Sequence, residues 1–467
     1  MIRVAIVGAG PAGAAAADVL AAHGAAVTMI DEGSAAGGQI YRRPHTGLKF
    51  DLDAVLGAEA ANYRNFHAAF SRLRDRIDYR PQTLVWGIAG KRLHTLRERT
   101  AETVTFDALV LATGATDRVL PIPGWTLPGV FTLGGAQVLL KEHGCLIGRR
   151  VVFCGSSPLL YLAAKQYHAM GAEIAAVLDS TPFAAKLRAT ADLLVAPQTL
   201  ARGLGYMTAL RRARVPMHHG VTLAAFEGAT GVERVRFLDK RHREHVIACD
   251  AVAYGFGLKP ETQLADLAGI DFRFDATFRQ WLPRADRDGR CGAGVYVAGD
   301  GATIGGARVA ALTGALAGCA VLDDFQIAAA GIRRAAMRRE IARLRRFQRG
   351  LADAFAWSVD AIRNVDDDTT VCRCENVTAG ELRASLRAEF GPAEINRLKA
   401  ITRCGMGRCQ GRFCGLAAAE LTAHELGIQL EAAGRLRGQP PVKPIPLAIS
   451  SAEKTAAAAR DETSGPA

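Results

Sequence analysis

Residues 3–13 read "RVAIVGAGPAG". A β-branched apolar run ends in a glycine turn, and "AAAADVLAAHG" (14–24) follows as an alanine-rich helix stopped at Gly24. "AVTMID" (26–31) reads as a second buried strand, so strand, turn, helix and strand open a parallel, doubly wound α/β sheet. Gly8 permits the tight bend and Gly10 lets the backbone approach a pyrophosphate. Gly13 allows helix and strand to pack closely, with Pro11 and Ala12 between them at the positive end of the helix dipole. Asp31 ends the second strand 18 residues after Gly13, where a carboxylate accepts hydrogen bonds from a ribose, and Glu32 follows it.

A second unit of the same kind starts about 147 residues later with "RRVVFCGSSPLL" (149–160), continues through the helix "YLAAKQYHAMG" and ends in the strand "EIAAVLD". Here Gly155 is kept, but Ser157 and Leu160 stand where the second and third glycines would fall. A Cβ at the second position obstructs a pyrophosphate, and a leucine at the third forces helix and strand apart. The unit is therefore expected to be a poor NAD(P)H site, either empty or holding an adenine nucleotide. Between the two units, "DALVLATGATDRVLPIPGW" (107–125) is a strand ending in the turn Thr113–Gly114. Beyond them, "CDAVAYGFGLKP" (249–260) and "GVYVAGDGATIGG" (294–306) are strands running into glycine turns.

The expected organisation is a discontinuous first dinucleotide domain, 1–115 and 250–325, with a second nucleotide-binding-like domain, 116–249, inserted in it. A basic helical linker (326–368), a small mainly helical cysteine-rich domain (369–440) and a flexible tail (441–467) follow. The formal charge of +12 is concentrated in "GIRRAAMRREIARLRRFQRG", with eight arginines from Arg333 to Arg349. A solvated helix face, or a docking surface for a second chain, accounts for them; no aromatic platform or nucleic-acid module accompanies the charge. The N-terminus lacks the features of a secretory signal, so a cytoplasmic chain with reduced thiols is expected. No transmembrane segment is expected, because "VAALTGALAGCAVL" (309–322) is short and reads as a buried helix; peripheral association with the inner face of the membrane stays open.

Five of the ten cysteines fall within 43 positions, in "VCRCEN" (371–376) and "ITRCGMGRCQGRFCG" (401–415), although four thiolates are enough for one metal centre. Gly405, Gly407, Gly411 and Gly415 let backbone N–H groups approach sulfur, and Arg373, Arg403, Arg408 and Arg412 offset negative charge. This pattern favours an iron–sulfur cluster over zinc or metal-free thiols. The other cysteines, Cys145, Cys154, Cys249, Cys291 and Cys319, are scattered singly and read as small core residues. No cysteine precedes Cys145 and no CxxC occurs in the first dinucleotide region, which rules out disulfide reduction.

Taken together, "GAGPAG", "LATGA" and "VYVAGDG" resemble the two-dinucleotide-domain flavoproteins of the glutathione-reductase type. The resemblance implies FAD at the first site. It places Asp300, with Gly299 before it, at the ribityl chain, and Thr113 and Gly114 near the cofactor. "CRCENVTAGEL" with "TRCGMGRCQGRFCG" is similar to the bacterioferritin-associated-ferredoxin type of [2Fe–2S] domain. "IDEGSAAGGQIYRR", which carries Gly38 and Gln39, and "PIPGWTLPGVFT" resemble the flavoprotein subunits of opine oxidases, hydrogen cyanide synthase and dye-linked proline or hydroxyproline dehydrogenases. That resemblance spans residues 1 to about 445.

Carried over residue by residue, the resemblance makes Cys372, Cys374, Cys409 and Cys414 the cluster ligands. Cys404, where those relatives commonly have alanine, becomes the spare thiol. It also implies an electron-transfer subunit whose partner is an amine-oxidising, FAD-containing catalytic subunit, with or without a small third subunit, and a quinone or dye as acceptor. No acid–base or nucleophilic catalytic residue is identifiable in this chain. The alternatives are a self-sufficient NAD(P)H-dependent reductase and a non-catalytic assembly or iron-sensing module.

Overall fold

The computed structural model describes residues 1–45, 47–48 and 51–451. Its largest sheet has six strands in the order 290–292, 295–297, 108–111, 3–7, 26–30, 78–80, all parallel except the outer hairpin 290–297. Val4 pairs with Val27 and with Ala108, and all four residues from Val4 to Val7 are buried. A parallel strand covered on both faces has to be apolar at every position. Val4 and Ile6 pack under the helices Pro11–Ala22 and Gly306–Asp324, while Ala5 and Val7 face the opposite core with Leu93, Phe106 and Leu264. Successive residues of the strand thus serve opposite cores.

The two helices on the first face touch backbone to backbone. A Cβ added at Gly314 would lie 2.0 Å from the carbonyl oxygen of Ala12. Gly306–Asp324 is the one helix among the described residues long and apolar enough to cross a membrane, and 67% of its apolar stretch is buried inside the fold. The reading of 309–322 as a core helix agrees with this placement.

The second sheet has five parallel strands in the order 217–219, 173–179, 150–155, 251–255, 130–132. Ala251–Gly255 pairs with Val151–Gly155, so these residues belong to the second sheet and not to the first domain, whose second segment was expected to begin at 250. The reason is register: Gly155 and Gly255 lie side by side, and a Cβ on Gly155 would sit 2.0 Å from the Gly255 oxygen. The antiparallel sheet 222–248 packs Phe226, Val235 and Phe237 against it.

The basic helix Arg334–Ala354 lies across both halves, with Ile341 against Leu312 and Leu316 and Phe347 against Leu193. Three of the eight arginines from Arg333 to Arg349 are paired with acids of the chain: Arg334 with Asp323, Arg338 with two bonds of 2.8 and 2.6 Å to Asp288, and Arg346 with Asp192 at 2.6 Å. The cysteine-rich domain is a short hairpin, 370–378, followed by the helices Ala379–Arg387, Ile395–Thr402, Gly415–Glu425 and Leu430–Ala433. Thr378 and Glu381 form a capping box that fixes the first of these. Beyond it, the expected flexible tail instead packs on the first domain. Val442 donates to the Trp86 oxygen, and Ser450–Ser451 pairs with Thr100–Ala101, whereas 452–467 lie outside the described residues. Of the single cysteines, Cys154, Cys249 and Cys319 are buried as expected, but Cys145 is exposed and Cys291 half-buried.

Gly314→Ala should destabilise the fold. The clash sets the new Cβ against the Ala12 backbone carbonyl and cannot relax by rotamer change, so a loss of about 1–3 kcal/mol is expected. That exceeds the helix-propensity gain of about 1 kcal/mol, and a denaturant titration against the wild type measures the difference.

Candidate cofactor sites

The first site is built where the strands of the six-stranded sheet end. Gly8 has φ +108°, and a Cβ there would lie 2.2 Å from the Ala112 oxygen; at Gly13 it would lie 1.8 Å from the Gly8 oxygen. Only glycine fits at either position. A Cβ on Gly10 would come within 3.6 Å of Gly38 Cα, so the turn 8–10 and the loop 37–38 face each other closely. Pro11 opens the helix and Ala12 is buried in it.

The Asp31 carboxylate accepts from the N–H groups of Ala9 (2.5 Å) and Gly33 (2.7 Å), so it braces the glycine turn itself. Burial pushes its pKa up, against those two bonds. Glu32, exposed beside it and paired with Lys443, is the freer carboxylate at that strand end. Gln39 is exposed and accepts from Arg42. Gly299 donates to Thr313, and Asp300 accepts from Gly305 (2.8 Å) and Gly306 (3.0 Å), capping the helix that begins there. A Cβ on Gly301 would lie 2.8 Å from Thr113 Oγ1, which brings the turns 113–114 and 299–301 together. The expected residues therefore line one continuous edge, with Asp31 and Asp300 already engaged by backbone N–H groups.

At the second nucleotide fold the turn is covered by the chain itself. Ser156 Oγ donates to the carbonyl of Ala356 at 2.9 Å and lies 2.9 Å from Thr181 Oγ1. Phe355 packs on Tyr161 and under Lys186, and Trp357 stacks 3.7 Å from the Arg118 guanidinium. Asp179, at the strand end where a ribose would be met, is 0% exposed and holds Tyr161 Oη (2.5 Å), Thr181 N (2.8 Å) and Lys186 Nζ (2.7 Å). Burial alone would raise its pKa, but His219 and Lys186 hold it below the ordinary value. Both carboxylate oxygens are thus already engaged by groups of the chain. Sequence reasoning missed the segment 355–357, because a connection between two helices carries no motif.

The five clustered cysteines do converge. The sulfurs of Cys372, Cys404 and Cys414, whose residues are 1%, 1% and 2% exposed, lie within 4.8 Å of one another. Cys374 and Cys409 are half-buried and face each other beside this group. Hydrogen bonds from Cys404 and Cys414, and from the N–H groups of Gly405 and Glu375, hold the Cys372 thiol far below its ordinary pKa; Cys414 is pushed up. Gly405 and Gly411 have positive φ, and Leu436 Cδ1 lies 2.6 Å from where either Cβ would stand. Any other residue at these two positions would be strained by its positive φ and would have to push the end of the Leu436 side chain aside. Buried thiols in an apolar pocket, with N–H groups aimed at sulfur, suit a soft, thiolate-bound metal or cluster.

Three of the four arginines around the loop have specific partners, and Arg408 is exposed. Arg373 stacks on Phe413 at 4.1 Å, and Arg403 binds Glu375 at 2.7 Å. Arg412 binds Glu261 at 2.6 Å and reaches the Cys409 carbonyl at 3.3 Å. Glu261 in turn donates its N–H to the Gly114 oxygen (2.9 Å) and accepts Thr113 Oγ1 on its own carbonyl (2.6 Å). A single residue therefore joins the 113–114 turn of the first site to the cysteine loop. Nothing in "GLKPETQ" marks it, since the contact spans 151 positions.

Two dinucleotide folds with a thiol-rich module docked on them define a flavoprotein oxidoreductase architecture. Residues 2–315 match the pyridine nucleotide-disulphide oxidoreductase family, and residues 367–454 match the sarcosine oxidase A3 domain. The chain belongs to the pyridine nucleotide-disulphide oxidoreductase family, in the group that contains opine oxidase A subunits and hydrogen cyanide synthase HcnB subunits, and is an oxidoreductase of the FAD-dependent kind. It is 37% identical over 460 residues to the opine oxidase A subunit of Agrobacterium tumefaciens (strain Ach5), covering 95% of this chain and 90% of that one. Hydrogen cyanide synthase subunit HcnB of Pseudomonas aeruginosa is 34% identical over 467 residues, covering 96% and 97%. The solved structure of L-proline dehydrogenase from P. horikoshii shares the fold, with a TM-score of 0.71 at 20% identity over 96% of this chain and 78% of that chain.

Because the second fold is closed by its own chain, adding NADH or NADPH to the protein without oxygen should leave its flavin absorbance unchanged. Bleaching at a rate of about 1 per second or faster, the lower end of ordinary turnover, would show that the segment 355–357 yields to a nucleotide.

Proposed function

We propose that the chain is the FAD and [2Fe–2S] electron-transfer subunit of a heteromeric amino acid or opine dehydrogenase, receiving electrons from an amine-oxidising, FAD-containing partner. The names of its opine oxidase and hydrogen cyanide synthase relatives, which are subunits, support the assembly. The observation that carries the electron route is Glu261, which ties the turn 113–114 to the cysteine loop through Arg412.

FAD would lie along the edge built by Gly8, Gly10, Pro11, Ala12 and Gly13, its pyrophosphate over the helix N-terminus. Glu32 and Asp31 stand at the ribose end and Gly38 and Gln39 on the facing loop. Gly299 and Asp300 stand at the ribityl chain, with Thr113 and Gly114 beside them. Cys372, Cys374, Cys409 and Cys414 would hold the cluster. When bound, the flavin supplies two-electron acceptance and the cluster one-electron transfer.

The chain's own contribution is position and charge. Glu261 neutralises Arg412 next to Cys409, and their side chains are 15% and 13% exposed, so the pair is shielded from solvent. The docked module excludes water through Trp125, whose Nε1 donates to the Thr370 oxygen at 2.6 Å, and through the ion pair of Arg279 with buried Glu420. The substrate is an amine whose oxidation is completed on the partner, and a quinone or dye takes the electrons onward.

Purified alone, the protein should be coloured by flavin and cluster and should oxidise no amino acid or opine; activity should appear on adding the amine-oxidising partner. Robust oxidation by the isolated chain defeats the electron-transfer reading. Glu261→Gln should keep FAD and iron contents yet slow electron passage from flavin to cluster about tenfold, the effect of about 1.4 kcal/mol on a barrier. It should also move the cluster's midpoint potential upward, because Arg412 loses its counter-charge.

A further inference from the structure

The cysteine loop contains one thiol more than a four-ligand cluster uses, and its placement is specific. Cys404 is as buried as Cys372 and Cys414, and its sulfur lies within 4.8 Å of both. It stands where the helix Ile395–Thr402 ends: Arg403 turns into the left-handed region (φ +64°), and Cys404 N–H bonds back to Thr402 Oγ1. That reversal aims the side chain inward. Gly405, with φ +90°, then turns the chain away beneath Leu436. Cys374 and Cys409 form the other face of the site, so the five thiols divide into a group of three and a pair.

Resting on the ligand assignment proposed above, we infer that Cys404 is a reserve ligand for the iron held by Cys372 and Cys414, able to replace either one. The geometry allows this without moving the backbone, since rotation about a cysteine χ1 carries the sulfur between staggered positions a few ångströms apart. In the exchange the Fe–S bond of Cys372 or Cys414 breaks and that thiolate takes up a proton, while an Fe–S bond forms from Cys404 as its thiol proton leaves; in an alanine variant only the second half occurs. No electron changes hands. Cys374 and Cys409 have no such neighbour among the described residues, so the two faces of the site should respond differently to loss of a ligand.

The test is made on the full-length protein purified without oxygen, with iron, acid-labile sulfide and visible circular dichroism as readouts and bound FAD as the report of folding. Cys414→Ala and Cys372→Ala should each keep at least half of the wild-type iron, with an altered dichroism spectrum. Combining either with Cys404→Ala should cut iron below a tenth, while Cys404→Ala alone should match the wild type. Cys374→Ala and Cys409→Ala should lose the cluster outright. If an alanine variant loses its FAD, the serine variant at that position, with and without Cys404→Ala, is compared in the same way.

Loss of the cluster in Cys414→Ala and Cys372→Ala with Cys404 present overturns the inference and leaves the four-ligand assignment standing. Loss in Cys404→Ala alone overturns the inference and the ligand assignment together. A wild-type protein carrying FAD but no iron or sulfide overturns the cluster itself.

Discussion

The Glu261–Arg412 ion pair, with the bonds of Glu261 to the turn 113–114, holds the cysteine module in a fixed place relative to the first dinucleotide site. Its two side chains are mostly buried, so the pair is not an ornament of the surface. Removing one member of such a pair leaves an uncompensated charge and costs about 3–5 kcal/mol. Around it, Arg435 with Asp266, Gln263 with the Gln410 oxygen and Arg279 with Glu420 repeat the same theme of a charged or amide group reaching from one body to the other. The apolar contacts are continuous as well: the core that contains Val152 and Tyr254 of the second sheet runs on into Leu382, Leu398 and the buried cysteines. The module is thus packed against the nucleotide folds rather than tethered to them.

The closed second nucleotide fold follows from the same inward turning of polar groups. In a dinucleotide fold the turn after the first strand and the acid after the second are the two polar features a cofactor needs. Here both face the chain, as Ser156 meets Ala356 and Asp179 meets Lys186, Tyr161 and Thr181. The substitutions Ser157 and Leu160 are the sequence trace of that change: once no pyrophosphate has to approach, a Cβ at the second position and a buried leucine at the third cost nothing. Trp357, stacked on Arg118, stabilises the plug with a cation–π contact of the desolvated kind. The fold remains, and it supports the link to the cysteine module.

How much of this was legible in the sequence varied with the range of the interaction. Gly8 and Gly13 were readable because their constraints are local, set by a turn and by the helix directly after it. Asp31 was readable as a strand-end acid but not as a brace for Ala9, because the competing acceptor, Glu32, sits one residue on and only the fold decides which of them turns inward. Ala251–Gly255 was recognised as a strand yet given to the wrong sheet: an apolar run states that it is buried, and its neighbours are fixed by register with Val151–Gly155. Glu261, the 355–357 segment and the docking of 442–451 were invisible, since each depends on a partner more than a hundred positions away and none belongs to a motif. The density of arginine in 333–349 was visible, but its partners Asp192, Asp288 and Asp323 were not, so part of the charge that looked available for a second chain is neutralised within this one.

The cysteines show where spacing stops being informative. CxC and CxxxxC define two arms, and resemblance to relatives selects four ligands, but neither says which sulfurs share a face. The fold answers by placing Cys372, from the first arm, with Cys414, from the second, and by adding Cys404 to them. Each arm therefore contributes one thiol to each side of the site. If the arms were to separate, both sides would lose a thiol at once, so convergence of the thiols and docking of the loop against the hairpin 370–378 are coupled by construction. The glycines at 405, 407 and 411 make that docking possible, because at each a Cβ would meet Leu436 or Cys374 within 2.6 Å. A loop whose turns favour glycine, over thiols that converge only when it is closed, makes the thiol site a clasp between the two arms.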